Sequence, residues 1–403
     1  MRATLAPLTT RRAAAALVLV LGLWMTATLA TLAQRPTQPG DPLPGLTAAE
    51  FEEFRLGLED FLEVETAEEG LGPAFNGTSC GSCHNSPVLG GVSLVAEVRA
   101  GKRDATGAFQ ALDPSGETLI HLFSIPTHGC QPVVPADATV IERRVPIPLF
   151  GAGLVEAIDD DTLVTLANYQ ARGYDGVSGR AASIVERGTG ERRIGRFGWK
   201  AQHATLLAFG ADAYRNEMGI TNDLFPTELA LGVDAERMRK CDPIPDPEDI
   251  PDLRTRRRGI DNFASFMRFL APPGRTATND AVSSGDRIFN ALGCATCHVP
   301  ELRTGANANP LFDRQSVPLY SDLLLHDIGT GDFIRQGAAE PGEIRTPALW
   351  GLRLRRPLLH DGSAPTIQDA INRHGGEAAL ARQGFTRLSD ADWQALLAFL
   401  LSL

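Results

Sequence analysis

The chain has 403 residues, which is enough for two domains with full hydrophobic cores and more than one small domain requires. Its content of 43% hydrophobic and 22% charged residues is typical of a soluble globular protein. The formal net charge of -11 leaves no basic face for nucleic acid, so we expect no nucleic-acid partner.

The N-terminus has the pattern of a secretory signal peptide. Three arginines precede an uncharged run that is rich in alanine and leucine and ends at Ala33. We predict a signal peptide over residues 1–33 and a Pro-rich linker over residues 34–45, and therefore a periplasmic protein with no membrane span once the signal is cleaved. The alternative is an uncleaved membrane anchor, because the apolar run is long enough to span a bilayer.

The rest of the chain alternates helical periodicity with segments rich in Gly and Pro. Apolar residues at helical spacing occur over 46–63, 160–169, 204–215, 259–270, 284–292 and 390–403. Short β-like runs lie within 85–145, and a Pro-rich stretch that ends at Pro251 marks a second boundary. We therefore predict a mainly α fold with one domain over 46–250, another over 251–403, and short β-hairpin or loop insertions in the first.

Each predicted domain contains one Cys-x-x-Cys-His motif. In such a motif the two thiols add to the vinyl groups of a haem, and the adjacent histidine reaches the iron. A zinc site would need four soft ligands close together, and a thiol redox pair would not need a histidine twice. We therefore predict two covalently bound haem c groups in two cytochrome c-like domains. The residues that hold them are Cys80, Cys83 and His84 in the first domain and Cys294, Cys297 and His298 in the second.

Two further cysteines, Cys130 and Cys241, lie outside the haem motifs. In an oxidising compartment they are candidates for one disulfide, and the alternative is two free thiols. Both lie in Pro-rich loop sequence, where a covalent bridge would stabilise the fold, so we favour the disulfide.

Several longer motifs resemble the di-haem oxidoreductases of the bacterial cytochrome c peroxidase superfamily, in the branch labelled "predicted thiol oxidoreductase". The resemblance extends from about Phe51 to Leu403. Its motifs are Gly195–Ala201, Asn216–Thr221, Tyr320–Gly329, Arg345–Gly351 and Leu359–Glu377. The thiol label itself finds no support, since the haems would consume the thiols of both Cys-x-x-Cys pairs.

The resemblance implies the ligands of the second haem. The family places its second axial ligand at the position of His374, commonly as a methionine, so we predict a haem ligated by His298 and His374. Imidazole stabilises ferric iron better than a thioether does, so this haem should have a low potential. The alternative for His374 is an ordinary surface histidine at a helix end. Arg345 is a candidate partner for a haem propionate, because guanidinium pairs bidentately with carboxylate.

The resemblance also implies roles for two residues of the first domain. Trp199 corresponds to a tryptophan between the haems and is a candidate electron relay. Glu217 corresponds to a glutamate over the open haem and is a candidate acid/base for O–O cleavage. Four features depart from the family: a glycine separates Phe197 from Trp199, the spacing from Trp199 to Glu217 is slightly shorter, the Asp-Gly-Arg after the tryptophan is missing, and the usual glutamine aligns with Phe209. The alternatives are a core tryptophan and a solvated glutamate.

The family also binds a calcium ion between its domains, and the corresponding loop here is Leu354–Pro357. The other histidines are less specific. His121 and His128 could ligate the first haem but are more typical of loop residues, and His203 is a candidate structural residue. His326 and His360 lie in family motifs, where they could bond haem propionates or the backbone.

These residues predict an exported oxidoreductase. Electrons would pass from a small periplasmic donor, a cytochrome c or a cupredoxin, through the second haem and Trp199 to a five-coordinate iron on His84. Hydrogen peroxide is the leading oxidant. The alternatives are an oxidase that modifies a partner protein and a non-enzymatic carrier or redox sensor with two haems.

Overall fold

The computed structural model describes residues 37–113, 116–173, 176–242 and 250–403. The predicted signal peptide, the start of the predicted linker and most of the Pro-rich second boundary lie outside these residues. Among the described residues, no helix combines the length and the apolar character that crossing a bilayer requires. The domain boundaries predicted from the sequence remain predictions.

Helices of three turns or more form where helical periodicity predicts them. The first, α1, begins at a capping box in which Thr47 and Glu50 bond each other's backbone N–H. The last, α11, begins after Ser389, whose Oγ accepts a hydrogen bond from Asp392 N at 3.2 Å. The helices are α1 (Ala48–Leu62), α2 (Cys80–Cys83), α3 (Ala152–Glu156), α4 (Asp160–Gln170), α5 (Leu206–Ala213), α6 (Ala235–Cys241), α7 (Gly259–Phe269), α8 (Asp280–Ala291), α9 (Ile367–Asn372), α10 (Ala379–Phe385) and α11 (Asp390–Ser402).

Strands are short and occur in both halves of the chain. They are β1 (Ala74–Phe75), β2 (Glu97–Arg103), β3 (Phe109–Gln110), β4 (Leu119–Ile120), β5 (Phe123–Ser124), β6 (Val140–Arg144), β7 (Ala182–Val185), β8 (Arg192–Gly195), β9 (Leu302–Arg303), β10 (Ser316–Val317), β11 (Leu325–Asp327) and β12 (Glu343–Arg345). Strand β2 pairs antiparallel with β3, β4 and β6, and the other strands form two-stranded pairs.

The fold is therefore mixed, with 32% helix and 15% sheet, rather than mainly α. The β insertions were predicted only in the first domain, but the β9–β10 and β11–β12 pairs lie in the second. The physical reason is length: strands of two or three residues are too short to show the alternation that identifies a strand in a sequence.

Two pairs of helices build the main hydrophobic clusters within one compact unit, Gln38–Leu403. Helix α1 packs on α7, where the Phe61 and Phe266 rings lie 4.6 Å apart. Gly57 permits this contact, because a Cβ there would collide with the α7 backbone at Asn262. Helix α8 packs on α11, with the Phe289 and Phe399 rings 5.2 Å apart. Each pair stands beside one Cys-x-x-Cys-His motif.

The structure confirms the disulfide between Cys130 and Cys241. Their Cα atoms lie 5.7 Å apart across a sequence separation of 111 residues. The bridge joins the loop after β5 to the C-terminal end of α6, and both cysteines are buried beside Ala74 of β1. The disulfide therefore ties this loop to the part of the fold that carries the first haem motif.

Candidate haem sites and active site

The first Cys-x-x-Cys-His motif begins a short helix that opens on a cavity. Ser79 caps α2 by accepting a hydrogen bond from Ser82 N at 3.1 Å, so Cys80 and Cys83 lie one turn apart. His84 Nδ1 donates to Gly91 O at 2.9 Å, which leaves Nε2 as the nitrogen with a lone pair. Burial lowers the pKa of His84 and favours the neutral ring that an iron ligand requires.

This first cavity has a volume of about 170 Å³. It brings together the residues that the sequence places far apart, because Trp199 and Glu217 line it with the first haem motif. It also contains charged residues that the sequence analysis missed: Glu97, Arg99, Arg144 and Asp212. The cavity is thus polar on one side, whereas Phe61, Phe263 and Met267 line another part.

Glu217 lies on a π-helical turn, Tyr214–Met218, that directly continues α5. Such turns are frequent at functional sites, because they bulge one residue out of the regular helix. The carboxylate accepts a hydrogen bond from Asn76 Nδ2 at 2.9 Å. Burial and the neighbouring Glu97 raise the pKa of Glu217 to about 8. At neutral pH this side chain therefore mostly carries a proton.

Glu97, on β2, also lines the first cavity, and two arginines contact its carboxylate. Arg99 donates Nε and Nη2 to its two oxygens at 2.8 and 2.9 Å, and Arg144 Nη1 lies 3.5 Å from one of them. Burial alone would raise the pKa of Glu97, but the two arginines outweigh it and lower the pKa. Glu97 and Arg99 share one face of β2 by their spacing of two. That spacing is the one sequence signal that could have indicated this pair.

The second cavity, of about 270 Å³, contains the second haem motif and His374. His298 Nδ1 donates to Tyr320 O at 3.1 Å, and His374 Nδ1 donates to Ala370 O at 2.7 Å. Both rings therefore keep Nε2 for a ligand. Burial and the nearby His374 lower the pKa of His298 to about 4, and burial lowers the pKa of His374. Two neutral imidazoles thus share one cavity.

Both cavities contain buried guanidinium nitrogens that fit an anionic cofactor. Among the described residues, Arg144 Nη2 in the first cavity and Arg355 Nε and Nη2 in the second have no hydrogen-bond partner. Arg345 lines the second cavity too, and burial together with Arg355 lowers its pKa to about 10. Buried unpaired donors are rare in folded proteins, and haem propionates would satisfy them. The sequence analysis selected Arg345 but missed Arg144 and Arg355.

Trp199 lines both cavities and is 5% exposed. Its Nε1 donates to Val145 O at 2.8 Å, which fixes the plane of the indole. Arg355 lies over the ring at 5.2 Å from the centroid, and the His360 ring meets it edge-on at 6.3 Å. The residue predicted as the relay therefore stands at the boundary between the two cavities.

Two further histidines, His326 and His203, have carboxylate partners. His326 lies between Asp322 and Glu377, each 2.9 Å away. Burial opposes its charge, but these carboxylates raise its pKa to about 12. His326, Asp322 and Cys297 have metal-ligand spacing, yet a protonated imidazole cannot ligate a metal. A similar pair joins His203 to Asp212 at 2.9 Å.

His121 and His128 are not among the described residues that line the first cavity. His121 Nε2 donates to Asn216 O at 2.8 Å, beside Glu217, and burial lowers its pKa to about 4. His128 lies in the loop that leads to the disulfide. Neither position favours ligation of the first haem.

Two adjoining cavities, each with a Cys-x-x-Cys-His motif and with one tryptophan in common, define a protein of the di-haem class. Residues 133–403 match the model of the family described as "Di-haem oxidoreductase, putative peroxidase". The match covers more than half of the chain, so the chain belongs to this family, and the predicted family resemblance is confirmed.

Individual relatives are more distant. Methylamine utilization protein MauG from Methylophilus methylotrophus is 26% identical over 161 residues, which cover 36% of this chain and 42% of that protein. The similarity therefore spans less than half of the relative. Among solved structures, the dihaem peroxidase BthA from Burkholderia thailandensis is 15% identical with a TM-score of 0.38, covering 90% of this chain and 87% of that one. Hydrazine synthase from Kuenenia stuttgartiensis is 15% identical with a TM-score of 0.39, covering 92% and 96%.

Proposed function

We propose that the protein is an exported di-haem c-type cytochrome that reduces peroxide at the first cavity with electrons delivered through the second. The observation that carries this proposal is the asymmetry between the two cavities. The second presents His298 and His374, both of which would hold the iron of a haem there. The first presents His84 on one element and the proton-bearing Glu217 on another.

The cysteines support covalent attachment of both haems. Burial raises the pKa of Cys80 to about 12 and that of Cys294 to about 11. A thiol that stays protonated is a poor nucleophile for disulfide exchange, which argues against a thiol oxidoreductase. These buried pairs instead suit thioether bonds to the cofactor, and together with the signal peptide predicted over residues 1–33 they support export to the periplasm.

The haem, when bound, supplies the redox-active iron at each site. This chain's own residues supply protons and orientation. Glu217 can give its proton to the departing oxygen of a peroxide, which is general acid catalysis. Trp199 lies at the boundary between the cavities, and its hydrogen bond to Val145 O fixes the plane of the indole. The donor would be a small periplasmic cytochrome c or cupredoxin, and hydrogen peroxide or a partner protein would be the substrate.

A calcium ion between the domains stays a prediction from the family resemblance. The corresponding loop contributes Arg355, whose guanidinium points into the second cavity. The positive charge of Arg355 disfavours the binding of a calcium ion beside it.

A second candidate function, a non-enzymatic carrier, would need a second axial ligand in the first cavity. Two thioethers line that cavity, those of Met218 and Met267. Methionine is a common haem ligand in electron carriers. This observation defines the competing hypothesis in which both irons are six-coordinate.

Electron paramagnetic resonance of the oxidised holoprotein separates the two candidates. We expect one high-spin and one low-spin haem, and rapid mixing with hydrogen peroxide should change only the high-spin signal. Two low-spin haems, with one converted to high spin in Met218→Leu or Met267→Leu, would instead establish the carrier. A high-spin haem that is inert to peroxide would leave the family membership intact and remove the peroxidase proposal.

A further inference from the structure

A loop from the second half of the chain reaches the first cavity. It joins β11 to β12, and Ile328 and Thr330 at its start line the second cavity. Asp332 follows two residues later and is fully buried. Its carboxylate accepts a hydrogen bond from Nε of Arg144, which lines the first cavity. We call residues 328–342 the crossing loop.

Several contacts fix Asp332 within the crossing loop. Lys200 Nζ donates to Asp332 O at 2.8 Å and lies 3.6 Å from its Oδ1. Ile334 N donates to the same Oδ1 at 2.8 Å, which leaves Oδ2 for Arg144. Burial alone would raise the pKa of Asp332, but Arg144 and Lys200 outweigh it and lower the pKa to about 2. The carboxylate is therefore charged, and its orientation is fixed.

Arg144 is 2% exposed, and side chains hold its guanidinium on two of its three nitrogens. Nε donates to Asp332, and Nη1 donates to Gln336 Oε1 at 2.5 Å. The same Nη1 lies 3.5 Å from Glu97. Nη2 has no hydrogen-bond partner among the described residues. Because unsatisfied buried donors are rare, this nitrogen points to an anionic ligand in the first cavity.

A short internal repeat relates Arg144 to the arginine of the second cavity. The segments Arg144–Gly151 and Arg345–Gly351 each have a proline two residues after the arginine and end in Leu-aromatic-Gly. Both contact Trp199: the first accepts from its indole N–H through Val145 O, and the second donates a backbone N–H to its carbonyl oxygen at 2.8 Å. The arginine that begins each segment lines the cavity of its own haem motif. Arg144 is therefore the counterpart of Arg345.

The two arginines are held in different ways. Arg345 donates Nε to Gly198 O at 2.9 Å and Nη1 to Thr346 O at 3.1 Å, and both acceptors are backbone oxygens. Arg144 is held by side chains, and its buried ionic partner, Asp332, comes from the other half of the chain. The orientation of the guanidinium in the first cavity therefore depends on the crossing loop.

We propose that Asp332 is a positioning residue of the first haem site, which fixes Arg144 so that Nη2 remains available to a carboxylate in the first cavity. The carboxylate that fits is a propionate of the haem held by Cys80, Cys83 and His84, because guanidinium pairs strongly with carboxylate. This inference rests on the proposed function for the presence of that haem, but not on peroxide reduction. It assigns a residue of the second half of the chain to the first haem site.

Redox titration of the holoprotein tests the inference with variants that keep every charge. A cation beside a propionate offsets negative charge that would otherwise stabilise ferric iron, so loss of the contact should lower the potential of the first haem. Asp332→Glu keeps the carboxylate but moves it by one methylene, and Arg144→Lys keeps the cation but lacks the planar fork. We expect both variants to lower that potential. The matched control Glu340→Asp, at an exposed position of the crossing loop, should leave it unchanged.

The first haem is followed through the electron paramagnetic resonance signal that His374→Ala does not change. Asp332→Glu should cause no further lowering in the Arg144→Lys background, because the contact that it displaces is already lost there. An unchanged potential in Asp332→Glu would overturn the inference. So would a lowering that is equally large with and without Arg144, since Asp332 would then act independently of that arginine.

If Asp332→Glu does not fold, Gln336→Ala provides the test. It removes the other crossing-loop contact of Arg144, changes no charge, and leaves Asp332 with its partner Lys200. Gln336→Ala should lower the potential of the first haem by less than Arg144→Lys does. The same potential as in the unmodified protein would contradict the role of the crossing loop.

The peroxide reaction distinguishes this inference from the proposed function. If the potential shifts as expected and peroxide does not react, the role of Asp332 stands and the peroxidase proposal fails. If peroxide reacts and the potential is the same in Asp332→Glu as in the unmodified protein, the peroxidase proposal stands and the role of Asp332 fails. Absence of a haem at His84 would remove both.

Discussion

The two cavities share a Cys-x-x-Cys-His motif and differ in the residues on the side opposite that motif. In each, a Cys-x-x-Cys-His turn presents a histidine whose Nδ1 donates to a backbone carbonyl, Gly91 O in the first and Tyr320 O in the second. In the second cavity a second neutral histidine, His374, faces this ring. In the first, the side chains of Glu97 and Glu217 line the cavity instead. The two cavities thus share the motif and its histidine, and the residues on the opposite side distinguish them.

The difference extends to the arginines. In the second cavity, Arg345 and Arg355 are buried and contact no carboxylate of the described residues, and desolvation lowers the pKa of each to about 10. In the first, Arg99 is bound to Glu97, whereas Arg144 is paired with the buried Asp332 and lies 3.5 Å from Glu97. Positive charge in the second cavity is therefore available for the propionates of a cofactor. In the first cavity, the positive charge of the arginines is mainly paired with carboxylates of the protein itself.

Removing the covalent motif of one cavity should have the largest effect and should leave the other cavity loaded. We expect the double variant Cys294→Ala/Cys297→Ala to retain only the first haem after denaturation, because thioether bonds are the attachment that survives unfolding. Haem staining on denaturing gels, with absorbance per chain, measures this. The matched control is Cys130→Ala/Cys241→Ala, which removes the disulfide and should retain both haems. Unchanged staining in the motif variant would remove the covalent assignment.

Changing His374 should alter the second cavity only. With His374→Ala the low-spin signal should become high-spin, because the iron loses an axial nitrogen. With His374→Met the potential should rise by on the order of 100 mV, since a thioether stabilises ferric iron less than imidazole does. Spectroelectrochemical titration checks both variants. The peroxide-sensitive signal of the first haem should persist. A low-spin second haem in His374→Ala would place the ligand elsewhere.

Glu217→Gln tests the first cavity in the same way. We expect both spin states to remain, and the peroxide reaction to slow by about 10²–10⁴-fold, which is the usual contribution of a general acid. In the unmodified protein the rate should fall as pH rises through about 8, because the raised pKa keeps Glu217 protonated only below that pH. Stopped-flow spectroscopy across pH measures both effects. A rate that is flat across this range would assign the proton to another group.

The sequence could predict most of what is local. A Cys-x-x-Cys-His motif can be recognised from the sequence alone, because all three residues lie on one turn. Helical periodicity likewise placed α1 and α11 close to their observed bounds. The family motifs selected Trp199 and Glu217, and the fold brings both to the cavity of the first haem motif.

What the sequence could not predict depends on long-range packing. Glu97 and Arg144 read as ordinary polar residues of exposed strands, because only the pairing of β2 with β6 buries them beside α5. Arg355 lies in the loop that corresponds to the calcium loop of the family, whereas its burial beside Trp199 makes it a candidate anion partner. The strands of the second half are too short to show the alternation of apolar and polar residues by which a strand is recognised in a sequence.

The disulfide belongs to the first region alone, so its removal should separate stability from the second cavity. Cys130→Ala/Cys241→Ala should lower the free energy of unfolding by about 2–4 kcal/mol, since the bridge restricts a long loop of the unfolded chain. Urea unfolding followed by circular dichroism measures this change. Because the bridge packs on Ala74 of β1, near Asn76, any effect on haem spectra should appear in the first haem. A change confined to the second haem would contradict this arrangement.

Trp199 is the one side chain that both cavities share, so its replacement tests whether the comparison between them is also a connection. Trp199→Phe keeps an aromatic ring but removes the donor to Val145 O, which should cost about 1–3 kcal/mol of stability because that buried carbonyl loses its partner. Both spin states should persist, since no iron ligand changes. Electron passage from the second haem to the first should slow, as measured by the rate at which a reduced second haem reoxidises after peroxide is added. If that rate is unchanged while stability falls, the indole is a packing element between two cavities, and electrons cross the boundary without it.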